Sequence, residues 1–189
     1  MLDFFTACLI GCVCRQSEKY FKDIEATIRK DLTITPPTDT ANQACCEKIK
    51  QAPNSVALHV RWFKSPESSS AYNASLGYYR QAIALLTSKL PNPHFFLFSD
   101  DVEAAREKLS LGNQSVTYIT HNQGDNHAYA DLWLMTHCKH FVIANSTFSW
   151  WGAWLAAHPH KIVITPNLTI TGITSWGFDG LIPNRWIKL

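Results

Sequence analysis

The chain has 189 residues, of which 46% are hydrophobic and 17% charged, with a formal net charge of +2. That is one ordinary domain's length, with enough apolar surface to build a core without disulfides or structural metals. A charge so near neutral excludes a broad basic face for nucleic acid, and no segment approaches the roughly eighteen uninterrupted apolar residues of a membrane span.

The opening MLDFFTACLIGCVC is apolar, but it carries Asp3 and no Lys or Arg before Arg15. A secretory leader needs a basic start, so this stretch reads as a buried strand. Cys8, Cys12, Cys14, Cys45, Cys46 and Cys138 lie at spacings that match neither a disulfide framework nor a paired zinc motif, and read as reduced thiols of a cytosolic protein. From Ser17, apolar residues at Tyr20, Phe21, Ile24, Ile28 and Leu32 share one helical face, and the helix stops before Pro36 and Pro37. Residues 38–46 are polar and irregular and read as a loop, with a short helix over 47–51 before Pro53 and Asn54 break it.

Beyond residue 54 the sequence alternates. Strands are predicted over 55–62, 94–98, 116–120, 141–144 and 161–165, and helices over 76–90, 102–109, 129–138 and 149–157. Strands separated by helices imply an α/β fold with a doubly wound, mostly parallel sheet. Residues 1–54 then form a partial N-terminal region with a helix, and residues 55–189 the sheet domain.

In such sheets ligands bind beyond the carboxyl ends of the strands. The first strand ends with His59 and Arg61, the second runs into Ser99, Asp100 and Asp101, and the fourth into Asn145, Ser146, Thr147, Phe148 and Ser149. Arg61 offers a planar fork for phosphate oxygens, or it pairs with one of the two acids. Asp100 and Asp101 either accept from a base edge or cap the next helix; as a metal pair they lack further ligands. The turn 145–149 enters a helix, so its backbone N–H groups form an anion site. Of the indoles that follow, Trp151 and Trp154 read as core, and Trp150 as the one facing a ligand.

The blocks HVRW, FSDD and NSTFSWWGAWL, together with GYYRQAI, KIVITP and the final NRW, resemble the bacterial α1,2-fucosyltransferases of glycosyltransferase family 11, from about Gly11 to Leu189. The resemblance implies inverting transfer of L-fucose from GDP-β-L-fucose to a galactoside hydroxyl on a glycan acceptor. It implies a two-domain GT-B fold with a Rossmann-like donor domain over residues 55–189, no obligatory metal or other cofactor, and a cytoplasmic location with peripheral association at the inner face of the membrane. Arg61 would be the catalytic residue, holding the β-phosphate and balancing the leaving GDP. His59 and Asp101 would lie near the guanine, and Thr147, Phe148 and Ser149 would contact phosphates or base.

The sequence departs from the family pattern in two places. The HxRRxD motif reads His59-Val60-Arg61-Trp62-Phe63-Lys64, so the second arginine and the acid are replaced. No glycine-rich GGLGNQ-type segment of an acceptor-side half is present, so the sequence corresponds to the donor half. Two other readings follow: a truncated, non-catalytic GDP-sugar-binding protein, and a carbohydrate-binding module that uses exposed tryptophans.

Overall fold

The computed structural model describes residues 17–63, 73–170 and 176–189. The strand expected near the N-terminus, and Lys64, lie outside those residues.

The described chain forms a six-stranded parallel sheet covered by helices on both faces. The strands are β1 (Ser55–Val60), β2 (His94–Ser99), β3 (Ser115–Tyr118), β4 (His140–Val142), β5 (Val163–Thr165) and β6 (Ile187–Lys188). The helices are α1 (Glu25–Asp31), α2 (Thr40–Gln51), α3 (Leu76–Lys89), α4 (Val102–Leu109), α5 (Ala128–His137) and α6 (Thr147–Leu155). Among the described residues no helix is long and apolar enough to cross a membrane.

The central strands are apolar on both faces because both faces are covered. All six residues of β1 are buried. Val56, Leu58, Val60, Phe95 and Leu97 point toward α3 and α4, where they meet Tyr78, Ala82, Leu86, Ala105 and Leu109. Ala57, Phe96, Phe98, Phe141 and Ile143 point the other way, onto a cluster that includes Cys46 and Ile49 of α2, Leu134 of α5 and Trp150 and Trp154 of α6. The strand order is β3-β2-β1-β4-β5-β6. From β1 the chain winds outward through β2 to β3, then returns to lay β4 on the other side of β1. That reversal opens a crevice at the carboxyl ends of β1 and β4.

Four local expectations are corrected. Residues 40–46 are helical, because Asp39 accepts the Asn42 N–H at 2.9 Å and starts α2 seven residues earlier than the sequence suggested. Between Glu18 and Asp31 there are two short 3₁₀ turns and then α1, in place of one continuous helix. β1 ends at Val60, two residues before the predicted end, and α6 begins at Thr147, two residues before the predicted start. β6, a two-residue strand, was not foreseen and pairs with β5 through Ile164↔Ile187 and Thr165↔Lys188.

Candidate functional site

Adjacent strands deliver the site. β1 and β4 are in register at Leu58↔Val142, so His59 and Arg61 leave the sheet beside the turn 144–147. The contact is direct: the His59 ring lies 5.5 Å from the Phe148 ring, centre to centre.

His59 is 5% exposed, and its Nδ1 has no hydrogen-bond partner among the described residues. Burial, and then the neighbouring Arg61 cation, push its pKa down to about 3. The imidazole is therefore neutral at physiological pH, with its Nδ1 buried and unpartnered among the described residues.

Arg61 keeps its guanidinium half-exposed, 3.3 Å from the Asp100 carboxylate. Asp100 also accepts the Trp62 backbone N–H at 3.1 Å, which anchors it. Asp101 caps α4, taking the Ala104 N–H at 2.9 Å, while Ser99 accepts the Asp101 N–H at 3.1 Å. Of the alternatives the sequence left open, the structure thus realises the ion pair for Asp100 and the helix cap for Asp101.

The turn after β4, like the entry into α5, leads into a helix with no side-chain cap. Asp39, Ser75 and Asp101 each cap their helix with a side chain, whereas Ser146, at the N-cap of α6, makes no capping bond. At the far end of α6 the arrangement is the reverse. Lys161 donates to the carbonyls of Ala153, Trp154 and Ala156 at 2.7, 3.2 and 2.6 Å, and Arg29 donates to that of Leu155 at 3.1 Å. Burial lowers Lys161 to about 7, so it serves there mainly as a hydrogen-bond donor and Arg29 supplies the cation at the negative end of the helix dipole; the positive end points at the crevice beside His59 and Arg61.

Two residues expected to meet a ligand do not present their side chains to one. Ser149 is fully buried and its hydroxyl turns back on the carbonyls of Ala144 and Ser146, at 3.3 and 3.2 Å. Trp150 is also fully buried; it donates through Nε1 to the Leu181 carbonyl at 2.9 Å and stacks on Trp154. Because the helix starts at Thr147, Trp150 is its fourth residue and faces the sheet. Trp151, expected in the core, is only partly buried and stacks on Phe21 at 5.7 Å, while Trp154 is core as expected.

A second polar cluster went unread in the sequence. Asn42 of α2 and Asn122, after β3, exchange amide hydrogen bonds at 2.8 Å in both directions, and Asn122 also donates to Asp131 of α5 at 2.8 Å. Burial raises the Asp131 carboxyl to about 7, against the lowering effect of Asn122. The available signal was an acid inside the apolar run AYADLWLM. Among the described residues no group of three His, Cys, Asp or Glu could hold a metal ion.

The profile of glycosyl transferase family 11 matches residues 12–175. The chain belongs to this family. Among curated relatives, it is 29% identical over 181 residues to an α-1,2-colitosyltransferase of Escherichia coli, covering 92% of this chain and 60% of that protein. It is 33% identical over 140 residues to the O-antigen biosynthesis glycosyltransferase WbnK of the same organism, covering 72% of this chain and 45% of the relative. It is also 29% identical over 158 residues to the human galactoside α-(1,2)-fucosyltransferase 1, covering 78% of the chain and 42% of the relative. The family 11 chain thus spans about half the length of the relatives it matches. Among solved structures, the α-1,6-fucosyltransferase NodZ co-crystallised with GDP aligns with a TM-score of 0.44 at 17% identity, over 66% of this chain and 42% of that one.

Proposed function

We propose that this chain binds the diphosphate of a GDP-sugar in the crevice between β1 and β4 and forms the donor-binding part of an inverting glycosyltransferase. The donor is GDP-β-L-fucose and the acceptor is a galactoside hydroxyl. The observation that carries the reading is the pairing of a half-exposed Arg61 guanidinium with the uncapped N-terminus of α6 across one strand boundary. The names of the relatives, which specify fucosyl or colitosyl transfer, support the sugar class.

The chemistry follows from charge. As the bond between the anomeric carbon and the β-phosphate oxygen breaks, its electron pair stays on the diphosphate. Arg61 and the α6 amides are fixed where that charge gathers, so they stabilise the transition state more than the ground state. The acceptor hydroxyl attacks from the opposite face, which inverts the configuration, and its proton goes to a base. Arg61 has no acceptor capacity and cannot be that base. In this reading the neutral His59 lines the floor of the nucleotide site, beside Phe148.

A second reading, a GDP-sugar-binding chain without turnover, is favoured by Lys64, which stands where the HxRRxD motif carries its acid. Calorimetry with GDP and GDP-fucose tests binding, and release of GDP in the presence of lactose separates the two readings. Arg61→Ala is expected to weaken GDP binding between about tenfold and a hundredfold, the range for one charge-assisted contact. Unchanged affinity would overturn the phosphate assignment.

A further inference from the structure

β4 and β5 pair through the N–H groups of Phe141 and Ile143, which reach the carbonyls of Ile162 and Ile164 at 2.8 and 2.9 Å. One more step of this parallel ladder requires the N–H of residue 166 to reach the Ile143 carbonyl. Residue 166 is proline and has no N–H to give. Ile143 is fully buried, so an unpaired carbonyl there would bear the desolvation cost of an unsatisfied acceptor.

Tyr78 of α3 closes the gap. Its buried hydroxyl donates to the Ile143 carbonyl at 2.7 Å and lies 3.0 Å from the Ile164 carbonyl. The Ile164 carbonyl already accepts the Ile143 N–H, so the single hydroxyl hydrogen is needed at Ile143. Burial raises the phenol well above its ordinary 10.0, which keeps it a donor. The ring is fixed by an edge contact to Tyr79 at 5.0 Å, and its backbone by the Ser75 cap, which accepts the Tyr78 N–H at 3.0 Å.

Ile143 is the last ladder position before the turn 144–149. We propose that Tyr78 is a positioning residue for that turn: its hydroxyl replaces the ladder donor that Pro166 lacks and fixes the end of β4 from which the α6 amides are presented. The inference rests on the diphosphate reading of the crevice for its functional meaning, and on the ladder geometry for its structural one. Tyr78 acts from the α3 face of the sheet and touches no ligand.

The test is a cycle of Tyr78→Phe, Pro166→Ala and the double variant. Tyr78→Phe removes only the hydroxyl, and Pro166→Ala restores an N–H to the ladder. Amide hydrogen exchange at residues 145–149 of the free protein is expected to quicken about tenfold in Tyr78→Phe while α4 is unchanged, and to return toward the wild-type rate in the double variant. GDP affinity should follow the same pattern, falling about tenfold and recovering. A fall in Tm with exchange and affinity unaltered overturns the proposal, as does a double variant no better than Tyr78→Phe. If the wild type binds no GDP, the diphosphate reading fails while the exchange data still decide the role of Tyr78. If Tyr78→Phe alone does not fold, a folded double variant with wild-type exchange supports the proposal, and an unfolded one overturns it.

Discussion

Arg61 and Asp100 stand 3.3 Å apart at the ends of β1 and β2, the carboxylate gripped by the Trp62 backbone N–H and the guanidinium half open to solvent. Under the proposed diphosphate reading, a ligand phosphate would compete with the carboxylate for the same fork.

Asp100→Asn retains an acceptor for the Trp62 N–H and removes the competing charge. GDP affinity should tighten severalfold while stability changes by less than about 1 kcal/mol, as for other exposed ion pairs. Calorimetry and urea denaturation measure the two effects. A tenfold loss of affinity would mean that Asp100 itself contacts the nucleotide.

Two buried histidines make the fold sensitive to acid. The pKa of His59 is about 3 and that of His140 about 4, each lowered first by burial from 6.5. Between pH 6.5 and about 4 the unfolded chain binds protons that the native one does not. Stability conferred by the neutral rings is therefore full above pH 6.5 and falls as pH drops, at most about 1.4 kcal/mol per unit for each ring. Urea midpoints between pH 7 and 4.5 should show the loss, and His59→Gln should flatten it.

Asp131 acts in the opposite sense over the same range. Its carboxyl is raised from 3.8 to about 7 by burial, so from pH 3.8 to 7 the native chain holds a proton that the unfolded chain has released. Stability is lost as pH rises through that window. Asp131→Asn keeps an acceptor for Asn122 and should stabilise the protein at pH 8, leave it unchanged at pH 3.5 and steepen the decline on acidification. Equal stability of variant and parent at pH 8 would show that Asp131 is solvated.

Lys161→Met preserves the apolar stem and deletes the donors to three carbonyls at the end of α6. A loss of about 1–3 kcal/mol is expected, read by chemical denaturation. Arg29 still holds Leu155, so the helix should remain formed.

The sheet could be read from the sequence because parallel strands buried on both faces appear as short apolar runs, such as SVALHV and HFFLFS. Their carboxyl ends then picked out His59, Arg61, Asp100 and Asn145. The start of α2 was missed because its first turns are polar. Asn42, Cys45, Cys46 and Ile49 do carry helical spacing, but Asn42 is buried through hydrogen bonds to Asn122, a tertiary reason that no local pattern shows. The error at Trp150 came from starting α6 two residues late, which rotates the face by about 200° at 3.6 residues per turn. β6 has only two residues, too few for any alternation to appear.

Cys45, Cys46 and Cys138 lie buried together between α2 and α5. Burial lifts Cys45 to about 11, raises Cys46, and sends Cys138 well above 9.0. Since only the thiolate attacks an alkylating reagent, these sulfurs are silent while the helical layer stays seated. Their modification rate under iodoacetamide becomes a built-in clock, each reacted thiol recording one moment when that layer lifted from the sheet.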